Sequence, residues 1–375
     1  MTVRCGRRRL VMACGLAALL TVALTCSPAY VIRAGIEEGR ILSRRRPIAQ
    51  VVADPATPEA ERAKLRLVLQ ARTYAGRVLG LAVGDSYTTY SWVDSDTLLL
   101  VVSAAQRDRF EPHTWWFPIV GHVPYKGFFD FDAAHREAAK LETRGFDTYV
   151  RPSPAFSTLG FFNDPVLNTV LRAGDLGLVS TVIHELLHNT LFIPGQVAFN
   201  ESFASFVGDR GAIAFFCARD GDDAPSCLAA QDEWSDNLAF GAFITTLVDD
   251  LERLYARTDL DRDQKIAQRD DVFTAARERF RRDVEPQLRT RALRGFDRRP
   301  LNNATLIGIR LYYRNLDRFE EAFQRTDGDL VASIHAIHDA VRDATDPFAA
   351  LEGYIGGRGG RDGGAGSRRG HGPAD

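Results

Sequence analysis

The sequence is short of lysine, of cysteine and of net charge, and each shortage excludes something. Among 47 basic residues only Lys64, Lys126, Lys140 and Lys265 are lysine, and 49 acidic residues leave a formal net charge of −2. So balanced a chain has no overall basic field for nucleic acid, and the preference for arginine reads as the codon bias of a GC-rich genome. No serine nucleophile elbow, phosphate-binding loop or dinucleotide fingerprint is present, and no internal repeat. With 375 residues, 45% hydrophobic, 26% charged and 10% aromatic, the chain is ordinary for a globular protein. That composition excludes global disorder, a collagen-like chain and a multi-span membrane protein. The length suits two or three domains, or one large one.

Cysteine is also unevenly placed. Cys5, Cys14 and Cys26 lie near the N-terminus, and only Cys217 and Cys227 follow, with nine residues between them. The spacing is not that of a metal knuckle or a CxxC redox motif. An isolated pair in an oxidising compartment is expected to form a disulfide, the alternative being two unpaired thiols. The compartment is suggested by the N-terminus itself. Arg4, Arg7, Arg8 and Arg9 precede an apolar or small stretch from Leu10 to Thr25, and no charge follows until Arg33. A basic region followed by an apolar one is the pattern of an export segment, here residues 1–29. Three outcomes stay open: cleavage, retention as a single membrane anchor, or lipidation at Cys26, which follows Ala23-Leu24-Thr25. Thr25 stands where Gly, Ala or Ser is usual in a lipoprotein box. The protein is therefore expected on the outer side of a bacterial cytoplasmic membrane, attached through this segment or a lipid.

Beyond it the first part of the chain mixes helix and strand. Tyr30 to Ile48 is mixed apolar and basic and suits a helix leaving the membrane. Thr57-Pro58-Glu59 reads as a helix start, predicting a helix over Glu59–Gly80. Ser86–Ala105, Trp115–Val120 and Val123–Phe129 read as extended, Asp132–Thr143 as a helix and Phe146–Val150 as a strand. From Leu176 the pattern turns helical, with helices predicted over Leu176–Leu191, Glu201–Phe216, Gln231–Ala256, Asp271–Arg294, Leu306–Gln324 and Leu330–Arg342. The tail 356–375 is Gly- and Arg-rich and predicted disordered. The fold class expected is α+β, predominantly helical, with a mixed portion (30–160) packed on a larger helical portion (161–355).

One constellation carries chemistry. Residues 181–188 read Thr-Val-Ile-His-Glu-Leu-Leu-His, so His184-Glu185-x-x-His188 forms an HExxH pattern. On a helix, residues four apart share a face, and both imidazoles reach one ion. Glu185 is then placed to reach a water on that ion. The flanking Val182, Ile183, Leu186 and Leu187 suit a buried helix; the competing reading is a surface helix with two histidines. Catalytic zinc usually takes three protein ligands and leaves a position for water. Glu201, 13 positions after His188, is the candidate third ligand. It opens a predicted helix whose Ala204, Ser205 and Gly208 permit close approach, and Pro194-Gly195 supplies a turn between the two helices.

The run from Ser157-Thr-Leu-Gly-Phe-Phe-Asn-Asp-Pro165 through His184-Glu-Leu-Leu-His188 to Phe199-Asn-Glu-Ser-Phe-Ala204 resembles a bacterial family of "putative aminopeptidases". The likeness extends from about Arg44-Arg-Arg-Pro-Ile48 to Asp329 and takes in Leu301-Asn-Asn-Ala304 and Tyr312. The resemblance implies a zincin-like, gluzincin-type metallopeptidase with one catalytic zinc ion, and an envelope lipoprotein. In such a protein Glu185 acts as general base toward a zinc-activated water. Tyr312 is the candidate hydrogen-bond donor to the oxyanion, against a plain core role for Tyr312 or Tyr313. Asn200, Asn302 and Asn303 are candidates for gripping substrate or for supporting the ligands. The partner is a peptide substrate. A non-catalytic zinc-binding envelope protein that binds peptides or proteins is the alternative, but it would not require Glu185. No GxMEN-type exopeptidase motif precedes the HExxH pattern, so exo- and endopeptidase stay open.

Three other features read as ordinary surface. Asp259-x-Asp261-x-Asp263 imitates a calcium loop, but Gln264 stands where glycine is needed. His335-x-x-His338 has no third ligand nearby. Arg44-Arg45-Arg46 is as consistent with a solvated helix end as with contact to anionic lipid.

Overall fold

A computed structural model describes residues 28–117, 121–153 and 164–357. The export segment before Pro28, with Cys26, and the tail beyond Gly357 lie outside the described residues, as does most of the Ser157–Pro165 run. The chain opens with α1 (Pro28–Ser43), β1 (Arg46–Pro47), α2 (Ile48–Ala53) and α3 (Glu59–Arg77). Then come β2 (Thr89–Ser91), β3 (Leu99–Gln106), β4 (Trp115–Phe117), β5 (Gly121–Val123), β6 (Tyr125–Phe128), α4 (Phe131–Thr143), β7 (Phe146–Ser153) and β8 (Val166–Leu167). The rest is helical: α5 (Asp175–Thr190), α6 (Val197–Asp220), α7 (Pro225–Tyr255), α8 (Arg262–Arg279), α9 (Asn303–Tyr313), α10 (Leu316–Gln324), α11 (Leu330–Val341) and α12 (Pro347–Gly356). The fold is α+β and predominantly helical. Among the described residues no helix is long and apolar enough to cross a membrane.

One hydrophobic core runs from Ile48 to Ile355 and joins the mixed portion to the helical one. Its centre is α5, which is apolar on nearly every side: Leu178, Val179, Val182, Ile183 and Leu186 are fully buried. A helix of that kind is stable only inside a protein. Leu65, Val68 and Ala71 of α3 share its core, as do Phe199, Phe203 and Phe206 of α6, which cluster with Phe319. A second core gathers around α7, α8 and the irregular segment after them, with Phe240, Phe243, Phe280 and Phe296 in edge-to-face contacts.

The antiparallel sheet β6-β3-β7 stands between α4 and α9. Its register pairs Ser103 with Tyr125 and Tyr149, and Val101 with Gly127 and Arg151. Side chains alternate across a strand, so Tyr125, Tyr149 and Arg151 share one face. The opposite face, with Val102 and Phe128, packs on Ala134, Ala138 and Leu141 of α4. On the first face Ala105 meets Ala304 and Ile307 of α9, and the Tyr149 ring lies against Gly308. Deep in this contact Asp147 of β7 accepts two hydrogen bonds from Arg269 of α8, at 2.6 and 3.0 Å, and one from the Asn303 amide.

Several helix boundaries differ from the sequence reading: α7 starts at Pro225, six residues before the predicted Gln231, and α12 was not predicted and takes in Gly356. The predicted 271–294 helix is α8, nine residues earlier at its start, because Asp261 and Gln264 form a capping box. It stops before Pro286, which cannot continue the ladder. The predicted 306–324 helix is two helices, α9 and α10, broken at Asn315 in the left-handed region (φ 56°). Asn tolerates that conformation better than most residues. Helix α6 begins at Val197, directly after the Pro194-Gly195 turn, so Glu201 lies in its second turn and does not open it.

Candidate metal centre

Helices α5 and α6 fold back on one another, and glycine sets how close they come. A Cβ on Gly208 would lie 2.8 Å from the Ser180 carbonyl oxygen and 3.2 Å from the His184 Cβ. One on Gly211 would lie 3.0 Å from Ile183. The connection is braced by Asn200, whose amide nitrogen donates to the Ile193 carbonyl at 2.9 Å while its oxygen accepts from the Ile193 amide at 3.0 Å.

This approach brings His184, His188 and Glu201 together, with one ligand atom from each lying within 4.8 Å of the others. Nε2 of His184 is 3.4 Å from Glu201 Oε2, and Nε2 of His188 is 4.0 Å from Oε1. The imidazoles stand edge to face, their centroids 5.0 Å apart. Donors bonded to a tetrahedral ion at about 2.0–2.1 Å are about 3.3 Å from each other. The His184–Glu201 separation fits a shared ion better than a direct hydrogen bond. Two imidazoles, a carboxylate and no cationic side chain among them are a suitable donor set for a divalent metal. Buried Nδ1 of His188 has no hydrogen-bond partner among the described residues.

The charges are tightly coupled. Burial opposes a charge on His184, but contact with Glu201 and the nearby Glu185 and Asp209 outweigh it and raise the imidazole pKa. Burial and the neighbouring His184 push His188 down to about 4. Burial alone would raise Glu201, yet the two histidines and Arg151 hold it below the ordinary carboxylate value. Asp209, one turn beyond Ser205 on α6, is raised by burial. It accepts hydrogen bonds from Ser180 Oγ at 2.7 Å and Asn237 Nδ2 at 2.9 Å, so it ties α5, α6 and α7 together.

The opposite wall comes from distant parts of the chain. Tyr312 of α9 places its ring 6.2 Å from that of His184. Arg151 donates to the Tyr312 hydroxyl at 3.4 Å and lies 5.8 Å from its ring centre. Burial, with Glu201 and Glu185 near, raises the Tyr312 pKa far above neutrality, so the phenol stays a donor. Burial does the same to Tyr125, which also feels Glu201, Tyr312 and Arg151. Tyr87 feels Glu185 and Asp164, though burial dominates its rise too. Its backbone is left-handed (φ 60°), a conformation that costs a bulky residue about 1–2 kcal/mol. The turn is held by Arg72 donating to the Ser86 carbonyl at 2.8 Å, by Asn189 donating to Ser86 Oγ at 3.3 Å and by the Tyr87 amide on the Asp164 carbonyl at 3.0 Å.

Of the residues singled out in the sequence, the structure brings His184, Glu185, His188, Glu201 and Tyr312 to one place. The three asparagines are engaged by the fold. Asn200 braces the α5–α6 connection. Asn302 caps α9 through the Thr305 amide and donates to the Thr148 carbonyl. Asn303 is fully buried, accepts from Tyr255 and donates to the Gln106 carbonyl. Cys217 and Cys227 form a disulfide joining the end of α6 to the start of α7. Asp261 serves as a helix cap, and His338 pairs with Asp339. Arg151, Tyr125, Tyr87 and Asp209 were not foreseen. The one pattern that points to part of this set is β7, where Asp147, Tyr149 and Arg151 recur at period two and put three polar side chains on one strand face.

Among known proteins, no curated protein and no solved structure matches the chain. A family model described as "Putative aminopeptidase" matches residues 29–346. The chain belongs to this family of "putative aminopeptidases".

Proposed function

We propose that the protein is a zinc-dependent peptidase of the bacterial envelope, zincin-like and of the HExxH-plus-glutamate type, acting as an aminopeptidase. The observation that carries this reading is the convergence of His184, His188 and Glu201 with Glu185 beside them on α5. In this reading Nε2 of each histidine and the Glu201 carboxylate hold the ion. When bound, zinc supplies Lewis acidity and lowers the pKa of a water molecule it holds. Glu185 takes the proton of the attacking water and passes it to the leaving amine. The Tyr312 phenol, kept protonated by burial, donates to the oxyanion that develops on the peptide carbonyl. Residues 30–355 form the peptidase unit, preceded by a 1–29 export segment that anchors it directly or through lipid on Cys26.

The test is paired. Bound metal is quantified in the wild-type protein and in Glu185→Gln, and both are assayed on N-terminally free and N-terminally blocked peptides. The reading expects one zinc in each, with cleavage of free N-termini lowered about 10²- to 10⁴-fold in Glu185→Gln. Cleavage of blocked peptides would make the enzyme an endopeptidase. Equal zinc with no turnover on any peptide would overturn the enzyme reading in favour of a binding protein.

A further inference from the structure

We propose that Arg151 is a substrate-anchoring residue that selects peptides carrying a carboxylate close to the scissile bond. The inference rests on the peptidase reading above and names its substrate class. Arg151 lies on the face of β7 that looks toward α9, and its contacts are the hydroxyl and ring of Tyr312. No carboxylate among the described residues lies within ion-pair distance of its guanidinium. The carboxylate its charge reaches is Glu201, which the peptidase reading assigns to the ion. A half-buried cation with only a neutral partner is costly unless a ligand completes it.

The charges of the site point the same way. Arg151 adds a positive charge beside the proposed ligands. Its field reaches Glu201, Tyr125 and Tyr312, so it stands within the same enclosure as the proposed reacting atoms. A guanidinium fork with one N–H on Tyr312 retains donors for the two oxygens of a carboxylate, the geometry this group binds best. Two sources offer that chemistry: the α-carboxylate of a dipeptide, and an Asp or Glu side chain beside the scissile bond. A dipeptide would also carry the free N-terminus that an aminopeptidase requires.

The test compares kcat/KM within each protein, for full-length wild type, Arg151→Met and Arg151→Lys. One substrate pair is Ala-Ala and its C-terminal amide; the other is Ala-Asp-Ala-amide and Ala-Asn-Ala-amide. Ratios within one protein cancel any damage to Tyr312. Wild type is expected to favour the carboxylate member of one pair about 10- to 100-fold, mainly through KM. The first pair would identify the α-carboxylate and the second the side chain. The preference should fall near unity in Arg151→Met and be partly kept in Arg151→Lys. Calorimetric binding of the same peptides to zinc-loaded Glu185→Gln should show the same preference without turnover. Ratios near unity for both pairs in wild type, or a preference that survives in Arg151→Met, would overturn the proposal while leaving the peptidase standing. Failure of zinc-loaded wild type to cleave any of the four would count against the peptidase itself, and the proposal would fall with it.

Discussion

The two walls of the candidate site are built differently. One wall is the α5–α6 pair, in which His184, His188 and Glu201 fall within 18 residues and a single turn folds the second helix onto the first. The other is the β7–α9 wall, where Arg151 meets Tyr312 across a sequence separation of 161. The first depends on helical periodicity and on two glycines. The second depends on strand register, on a buried Asp147–Arg269 pair and on a cap at Asn302. Local geometry can place the candidate ligands and Glu185; only tertiary packing brings Arg151 and Tyr312 to face them.

The largest break in this comparison is expected from Glu201→Ala. It should release the metal and abolish turnover while the β7–α9 wall stays folded, which metal analysis and circular dichroism together would reveal. Tyr312→Phe is the converse. It removes one hydroxyl from the second wall and should lower kcat about 10²- to 10³-fold with metal content unchanged. A fall in metal content would place Tyr312 among the supports of the ion instead.

The same contrast explains what could be read from the sequence. The HExxH pattern, the carboxylate at 201 and the apolar flanks of α5 lie in short windows, so periodicity and spacing disclosed them. Helix starts were misplaced where a cap decided the matter, as at Asp261, or where a turn ended abruptly, as at Gly195. The break at Asn315 was missed because periodicity runs through it. Arg151 and Tyr125 could not be associated with the site without the β6-β3-β7 register, and Asp209 looked like any polar residue on an amphipathic helix. Tyr312 was picked out by family resemblance; its spacing to the ligands carries no information.

A smaller effect is expected from Asp147→Ala. It strands Arg269, which is 5% exposed, as an unpaired buried cation and should cost about 3–5 kcal/mol in denaturant unfolding. Because Asp147 also holds the Asn303 amide, the loss should loosen α9 and reduce activity before it affects metal binding. The smallest is Gly208→Ala. Alanine in a helix interior gains about 1 kcal/mol over glycine, but overpacking against Ser180 costs about 1–3 kcal/mol. A net loss of about 0–2 kcal/mol, with weakened metal affinity, is expected; a clearly more stable variant would show that α5 and α6 can separate freely.

The central claim is that one ion is held between α5 and α6. Crystals of the full chain grown with zinc, measured on both sides of the zinc absorption edge, test it most directly. The account predicts one strong anomalous peak about 2.0–2.2 Å from Nε2 of His184, Nε2 of His188 and a Glu201 carboxylate oxygen. A peak elsewhere, or no peak with those three side chains well ordered, would contradict it.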